Sequence, residues 1–459
     1  MNTQTQLNDS SAVSSATGDD KKWAIVGGGM LGLTLAMRMA KAGHNVTLIE
    51  AAPVLGGLAS VWNLGDVVWD RHYHVTLLSD SRLRNLISEI GLEEKMKWVE
   101  TKTGFYTGGK FYSMSDTKEF LSFPPLNLIE KLRLGGTIFY ASKIKNWKRL
   151  EKLTVEKWLR RWSGNSVFEK IWEPLLKCKL GEAYKKTAAS FIWAHTSRMY
   201  KARRTGLKKE MFGYVEGGYR TIIERMEEVL NENGVTVMAG CPTSKVKKES
   251  SGKFKVEFAN DTPAAEFDRV IMTTPNAILS RICDDLSQEE QQKYDSVDYL
   301  GIVCASLLLK KPLSVYYVTN LTDEWVPMTA VIEMTTIVDT DEFGGNSLVY
   351  LPKYIPAEHE MFEKTDEEVK ESFLAALERM YPDFTRDDVL AFEISRVRNV
   401  MAIPTLRYSE KLPSMKSSAD GLYVVNSSYI LKGNLNVNES ITIAEDAMDT
   451  VLKAELQAP

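Results

Sequence analysis

The chain has few of the residues that cross-link proteins or hold metals. Its 459 residues include only four cysteines and five histidines. The cysteines (Cys178, Cys241, Cys283 and Cys304) form no CxxC pair, and no two histidines have HExxH spacing. The sequence therefore predicts neither a disulfide framework nor a protein-bound metal. We expect a reducing, cytoplasmic environment.

Long apolar runs are also missing. No stretch reaches the roughly eighteen apolar residues that a membrane-spanning helix needs, so we expect at most a peripheral contact with a membrane. Residues 1–20 are polar and small, which indicates a disordered tail rather than a signal peptide. The hydrophobic fraction of 44% and the net charge of −4 are ordinary for a globular protein of two or three domains.

The most informative stretch, residues 24–51, reads AIVGGGMLGLTLAMRMAKAGHNVTLIEA. An apolar strand leads into Gly27-x-Gly29-x-x-Gly32, and a helical segment and a second strand that ends at Glu50 follow. Gly27 permits a tight turn, Gly29 lets the backbone approach a pyrophosphate, and Gly32 lets the helix pack closely on the strand. The helix N-terminus favours phosphates, and a carboxylate at Glu50 can bind ribose hydroxyls. The pattern predicts a dinucleotide-binding βαβ unit.

The rest of the chain alternates between helical and strand patterns. We expect a helix-rich segment from the βαβ unit to about residue 210, and a sheet built from apolar stretches between residues 303 and 351. Helix-period patterns predict helices at 81–90, 126–145, 154–162, 166–176, 220–233, 366–380 and 439–452. Strand patterns at 235–238, 269–274 and 421–426 resemble the first unit, so its remaining strands are expected to return in the middle and at the end of the chain.

A second glycine pair, Gly56-Gly57, follows Glu50 at a short distance. With this pair, the chain resembles the superfamily of FAD-dependent amine oxidases, protoporphyrinogen oxidases and carotenoid desaturases, in its bacterial branch of NAD(P)/FAD-dependent oxidoreductases. The resemblance covers residues 23–452. Its other motifs are Asp66–His74, Glu216–Tyr219, Thr273–Pro275, Asn426 and Asn438–Ser440.

The resemblance implies an α/β fold: an interrupted, Rossmann-like FAD-binding domain of the glutathione-reductase type, with an inserted α+β substrate domain. The FAD-binding domain would comprise residues 21–78, 212–283 and 395–459. The substrate domain would comprise residues 79–211, a basic helical insertion, and residues 284–394, which add a sheet.

FAD is the implied cofactor, and we expect it to be non-covalent because no cysteine follows Cys304 that could form a cysteinyl link. In the family, the backbone at Val246 touches the adenine, and a helix N-terminus at Glu439 lies near the flavin N1–C2=O, where reduced flavin is negative. The sequence departs from the family pattern at Leu58, where many relatives have Arg, and at Asn426, where many have an acid. The predicted cofactor-binding residues are Gly27, Gly29, Met30, Leu31, Gly32, Glu50, Gly56, Gly57, Leu58, Val246, Thr274, Asn426, Asn438 and Glu439.

Three residues are candidates for catalysis. His74 would be a substrate-side polar group or proton carrier that titrates near neutrality, or a packed imidazole with a backbone partner. Tyr317 would line the substrate wall or belong to the core, and Lys432 would lie near the flavin ring or carry a solvated loop charge.

Residues 141–209 are strongly basic, with nineteen Lys/Arg, five Asp/Glu and a net charge of +14. Five tryptophans lie within them. One interpretation is a set of amphipathic helices with buried Trp and solvated Lys. The alternatives are peripheral contact with an anionic membrane and attraction of an anionic substrate. No nucleic-acid-binding module is recognisable.

The favoured function is an FAD-dependent oxidoreductase. It would take a hydride from a C–N, C–C or C–O centre of a small or lipid-like substrate onto flavin N5. A redox-neutral flavin isomerase or mutase on a phosphorylated or nucleotide-sugar substrate is the second hypothesis. A non-catalytic flavin-binding scaffold is the third.

Overall fold

The structure is a computed structural model that describes residues 21–202 and 210–456. The predicted tail at residues 1–20 and the last part of the basic region, residues 203–209, lie outside the described residues. No helix in the described ranges is long and apolar enough to cross a bilayer.

A five-stranded parallel sheet forms the nucleotide-binding part of the fold. Its strand order is Thr236–Met238, Asn45–Ile49, Lys22–Val26, Arg269–Met272 and Leu422–Val424. The first βαβ unit lies at the centre, and strands from residue 236 onward complete both edges. The predicted return of strands from the middle and end of the chain is therefore confirmed, and so is the interrupted Rossmann-like fold class.

The two faces of this sheet bury alternating residues, as strand geometry requires. Trp23 and Ile25 pack on one face against the helices Met30–Lys41, Ser81–Glu89, Gly218–Glu232 and Val437–Leu456. Ala24 and Val26 pack on the other face. That face is covered by a three-stranded antiparallel sheet (Thr243–Lys248, Phe254–Phe258 and Ala265–Phe267) and by the helices Asn276–Ile282 and Gln288–Asp295.

A seven-stranded sheet forms the second large unit. Its order is Val389–Ala402, Tyr299–Leu309, Ser347–Pro356, Ala330–Glu333, Val318–Leu321, Thr103–Thr107 and Lys110–Ser113. The expectation of a helix-rich segment to residue 210 was wrong at its start, because two of these strands and Met96–Glu100 lie there. Met96–Glu100 pairs with Met211–Val215, which also pairs with Thr76–Leu77, and Val61–Leu64 and Val67–Asp70 form a hairpin.

Helices cover both faces of the seven-stranded sheet. Asp366–Met380 packs on one face, and the other face is covered by helices between residues 117 and 202, which we call the basic helices. These comprise Thr117–Ser122, Leu128–Lys143, Val155–Ser163, Asn165–Val167, Glu173–Leu180 and Ala189–Ala202, and Phe168–Trp172 is a π-helical turn. A short helix, Tyr408–Lys411, lies near the C-terminus. The domain boundaries that the sequence suggested stay a prediction.

The tryptophans of the basic region have three different environments. Trp147, Trp158 and Trp193 are buried, and Trp172 is half-buried. Only Trp162 is exposed among these five. The amphipathic-helix interpretation thus accounts for most of them, with the tryptophans serving as core.

Asn426 joins the ends of two parallel strands. Its amide nitrogen donates to the Thr274 carbonyl and to Asn276 Oδ1, both at 2.8 Å. Its Oδ1 accepts from the Ser428 amide at 3.0 Å and from the Ser428 hydroxyl at 2.7 Å. Every hydrogen-bonding atom of this fully buried side chain therefore already has a partner inside the protein. The predicted contact of Asn426 with the cofactor stays a prediction, and only the backbone of Asn426 is available for it.

We expect Asn426→Asp to destabilise the protein although it is isosteric. The carboxylate would face two acceptor oxygens that now receive N–H groups, and each lost buried hydrogen bond costs about 1–3 kcal/mol. Thermal denaturation measures the effect. Asn146→Asp, at an exposed position, is the control and should change stability little. An Asn426→Asp protein as stable as the wild type would contradict this account.

Candidate cofactor and substrate site

The turn Gly27–Gly29 and the glycine pair Gly56-Gly57 lie against each other. The Gly56 amide donates to the Gly28 carbonyl at 2.8 Å. A Cβ atom on Gly57, whose φ is +58°, would lie 3.1 Å from the Gly29 Cα. A side chain at Gly57 would crowd this approach and strain the backbone, so the first turn and the second pair form one surface of bare backbone, which suits a pyrophosphate.

The helix that starts at Met30 is held tightly against the first strand. A Cβ atom on Gly32 would lie 1.9 Å from the Gly27 carbonyl oxygen, so no other residue fits there. Met30 and Leu31, in the first turn, are buried. The unpaired N–H groups of this helix N-terminus consequently point toward the glycine surface, where phosphate binding is favourable.

Glu50 lies at the carboxyl end of the second strand, beside the glycine turn. Its two carboxylate oxygens accept hydrogen bonds from the Gly28 amide at 2.6 Å and the Ala52 amide at 2.8 Å. These bonds fix the carboxylate in place and leave lone pairs on both oxygens for ribose hydroxyls. Val246 is buried in the antiparallel sheet on this side of the fold.

The C-terminal helix Val437–Leu456 begins near the same region. Asn438 Oδ1 accepts from the amides of Arg82 at 3.0 Å and Leu83 at 3.2 Å. Its side chain thus caps the helix Ser81–Glu89. Burial raises the pKa of Glu439 above its usual range.

Several buried polar atoms around this region have no hydrogen-bond partner among the described residues. They are Thr274 Oγ1, Asn434 Oδ1, His72 Nε2 and Arg71 Nε. Buried polar atoms are normally bonded, so such atoms indicate that a polar ligand belongs there. Together with the glycine surface and Glu50, these residues fit an extended dinucleotide such as FAD. The predicted cofactor contacts of the individual residues stay predictions.

His74 lies in a buried pocket rather than in an open site. Its ring packs on Tyr219 with the centroids 4.7 Å apart, and its Nδ1 is 4.0 Å from Asp70 Oδ2. A cavity of about 10 Å³, room for roughly one water molecule, adjoins these residues. Burial lowers the pKa of His74 to about 3, so the ring does not titrate near neutrality as the sequence suggested.

Asp70 is the acidic member of this pocket. Its Oδ1 accepts from the Tyr219 amide at 2.9 Å, and its backbone carbonyl accepts from the Tyr350 hydroxyl at 2.5 Å. Desolvation raises the pKa of Asp70 to about 8 despite the hydrogen bond from the Tyr219 amide. At neutral pH both Asp70 and His74 are therefore mostly uncharged. The sequence indicated Asp70 only as part of the motif Asp66–His74.

Tyr317 and Lys432 lie in contrasting positions. Tyr317 is buried, with its ring 5.2 Å from that of Phe212, in the apolar cluster between the seven-stranded sheet and the basic helices. Leu58 and Leu435 pack against the same cluster, so it borders the predicted flavin region from two sides. Lys432 is exposed and bonds to no described residue. The catalytic roles of both residues stay predictions.

Two side chains that no sequence motif indicated, Lys179 and His195, lie along this cluster. The ammonium of Lys179 lies 3.2 Å from the centroid of the Tyr354 ring, and the Tyr354 hydroxyl is 2.9 Å from that of Tyr73. His195 is exposed, yet desolvation and the nearby charges of Arg198 and Lys179 lower its pKa to about 4.

We call the apolar cluster together with Lys179 and His195 the substrate wall. This wall lacks free carboxylates among the described residues. Arg198 is neutralised by Asp80, with 2.6 Å between Nη2 and Oδ2. Lys179 has no described carboxylate within 4.0 Å. Lys177, on the same helix, is paired with Glu173 at 3.3 Å. Only the inward-facing lysine of this helix therefore remains without a counter-charge. No pattern of spacing in the sequence distinguishes these two lysines.

We expect Gly57→Ala to lower the FAD content of the purified protein by removing the space between the glycine pairs. Flavin absorbance per protein measures the content. Gly43→Ala is the matched control: its φ is also positive, at +87°, but nothing lies within 4 Å of the added Cβ. Both substitutions therefore strain the backbone, and only Gly57→Ala fills the space between the turn Gly27–Gly29 and the pair Gly56-Gly57. Equal flavin loss in both variants would contradict this interpretation.

The stability of the protein should depend on pH through Asp70. The folded state holds the Asp70 proton up to about pH 8, whereas the unfolded chain releases it near pH 4. The contribution of Asp70 to stability is therefore fully present below about pH 4 and is lost as pH rises toward about pH 8, by at most about 1.4 kcal/mol per pH unit. Asp70→Asn should flatten the dependence in denaturation curves, and Asp66→Asn, at an exposed position, should not. An unchanged slope in Asp70→Asn would refute the assignment.

Comparison with known proteins agrees with this geometry. The family model of flavin containing amine oxidoreductases matches residues 31–430. The chain is 21% identical over 381 residues to the 15-cis-phytoene desaturase of Capsicum annuum, an alignment that covers 78% of this chain and 64% of the relative. The chain therefore matches slightly less than two thirds of that relative's length.

Solved structures share the fold. A protein from Exiguobacterium described as a protoporphyrinogen oxidase superposes with a TM-score of 0.73 at 18% identity and covers 94% of this chain and 99% of its own. Putrescine oxidase bound to putrescine superposes with a TM-score of 0.70 at 18% identity, over 95% of this chain and all of its own. At such identities the likeness shows the fold alone.

The match to the family model spans most of the chain and confirms the predicted family. The chain belongs to the family of flavin containing amine oxidoreductases.

Proposed function

We propose that this chain dehydrogenates a lipid-like substrate that carries an anionic group. The observation that carries the proposal is the wall between the seven-stranded sheet and the basic helices. This wall is apolar and aromatic, it contains the unneutralised Lys179, and its described carboxylates are bonded elsewhere or protonated.

The apolar part of the wall supports a substrate with a hydrocarbon body. Leu58, Tyr317 and Tyr354 belong to or pack against one cluster, with Leu435 on the C-terminal side. Such a surface excludes water and orients a hydrocarbon chain through apolar contacts. The desaturase relative acts, by its name, on phytoene, and this supports a C–C bond as the reacting centre.

The charged part of the wall supports an anion. Lys179 would bind a carboxylate or phosphate directly, and the neutral imidazole of His195 would donate one hydrogen bond to it. An anion beside His195 would raise the pKa of that ring. A diamine such as putrescine is cationic at neutral pH, and the wall offers it no free carboxylate, so an amine substrate is disfavoured.

The division of labour follows from these positions. Bound FAD would supply the acceptor for a hydride from the substrate carbon. Gly29, Gly57 and Glu50 would hold the cofactor, and Lys179 would fix one end of the substrate. The uncharged pair of Asp70 and His74 would keep the pocket beside Tyr219 free of net charge.

The direct test is anaerobic reduction of the flavin by matched substrates. We expect long-chain carboxylates to bleach the flavin absorbance of the purified holoenzyme and their methyl esters to do so much more weakly. Bleaching by diamines instead would overturn the substrate class. Turnover that requires prior flavin reduction and consumes no acceptor would indicate the redox-neutral isomerase, and a flavin that no lipid or amine reduces would indicate the scaffold.

Lys179→Met should raise the KM for the anionic substrate by roughly 10- to 100-fold, because a charge-assisted hydrogen bond contributes about 1.5–3 kcal/mol. The KM for the neutral ester should stay unchanged. Lys177→Met is the control from the same helix, since that ammonium is already paired. If both variants affect the two substrates equally, Lys179 does not bind the anion.

A further inference from the structure

One surface of the protein exposes apolar side chains in an unusual concentration. We call it the apolar face. Its members are Leu121, Leu128, Ile129, Leu132, Phe139, Tyr140 and Trp162, which are between 38% and 70% exposed. They make up seven of the twelve large hydrophobic side chains that are exposed in the described residues. Single exposed apolar residues are ordinary, whereas a contiguous set marks an interaction site.

The helix Leu128–Lys143 carries most of this face, and its polarity is inverted. The exposed side bears Leu128, Ile129 and Leu132, while Glu130 and Lys131 are buried. The Glu130 carboxylate accepts from the Ser166 hydroxyl and from Lys170, and Lys131 donates to the Leu121 carbonyl at 2.6 Å. The charged groups thus form their hydrogen bonds inside the protein, and the apolar side chains face outward, where contact with water is unfavourable.

The surroundings of the face are cationic. Residues 117–149 contain seven Lys/Arg and only two acids, Glu119 and Glu130. Neither acid is exposed, and both are hydrogen-bonded within the protein. Six of the cations are exposed and form no ion pair with described residues: Lys118, Arg133, Lys143, Lys145, Lys148 and Arg149.

Two aromatic residues lie at the edge of the face. The rings of Tyr140 and Trp162 contact each other with centroids 4.1 Å apart, and the Lys143 ammonium lies 5.1 Å from the Phe139 ring centroid. Tyrosine and tryptophan favour the boundary between hydrocarbon and water, and lysine next to them favours anionic headgroups.

We propose that the apolar face docks this protein onto an anionic lipid bilayer, with the helix Leu128–Lys143 lying in the plane of the interface. A second copy of the chain is a poorer occupant, since a two-fold contact would bring two sets of unpaired cations together. The surface differs from the one that the sequence suggested. Most of it precedes residue 141, and of the five tryptophans only Trp162 takes part.

The test is co-sedimentation of the holoenzyme with vesicles of phosphatidylcholine, with and without phosphatidylglycerol. We expect binding to the mixed vesicles that weakens with salt. The triple variant Ile129→Ser, Leu132→Ser, Phe139→Ser should lower the partition coefficient at least about tenfold, because hydrocarbon burial drives insertion. All three side chains are more than half exposed, so the fold should survive, and flavin absorbance reports it.

A matched control distinguishes binding through this surface from nonspecific hydrophobic adsorption. Val68→Ser, Val315→Ser, Leu390→Ser removes three other exposed apolar side chains and should bind vesicles like the wild type. Arg133→Gln with Lys143→Gln should reduce binding to the mixed vesicles and its salt dependence. Absence of wild-type binding, or equal loss in both triple variants, would overturn the proposal. So would a dimer in gel filtration that the first triple variant abolishes.

Discussion

The contact between bare backbones at the amino terminus is the constraint on which the rest of the site depends. The helix after the first strand can start where it does only because Gly32 has no side chain, since a Cβ atom would lie 1.9 Å from the Gly27 carbonyl oxygen. The second glycine pair then approaches Gly29 from the other side. Once these backbones meet, the helix N-terminus, the Glu50 carboxylate and the turn at Gly57 are fixed around one ligand-sized surface.

This constraint explains which parts of the protein could be predicted. Glycines at fixed spacing state a local geometry, so the βαβ unit and the second pair followed directly from the sequence. The helix at residues 366–380 was also predicted at its observed bounds, because its capping box and apolar period are local signals. The strand Val389–Ala402 was missed because it is a half-exposed edge strand with charged residues along it.

The substrate side could not be predicted in the same way. Lys177 and Lys179 look equivalent in the sequence, and only the packing of their helix decides that one meets Glu173 and the other the ring of Tyr354. The same is true of His74, whose titration near neutrality was expected from its residue type. Burial between Tyr219 and Asp70 overrides that expectation. Tertiary desolvation, which no single-sequence pattern encodes, sets the charge state of these groups.

The two proposals converge on one physical picture. An anionic amphiphile is poorly soluble as a monomer and resides in membranes, where its charged group lies among the headgroups. A protein that uses such a molecule gains from an apolar face with a cationic surround, because the surface that binds the bilayer also concentrates the substrate. The helix Leu128–Lys143 packs through its buried side on Ala189–Ala202, the helix that carries His195. The helix that carries most of the apolar face is therefore the direct neighbour of the helix that carries part of the proposed substrate wall.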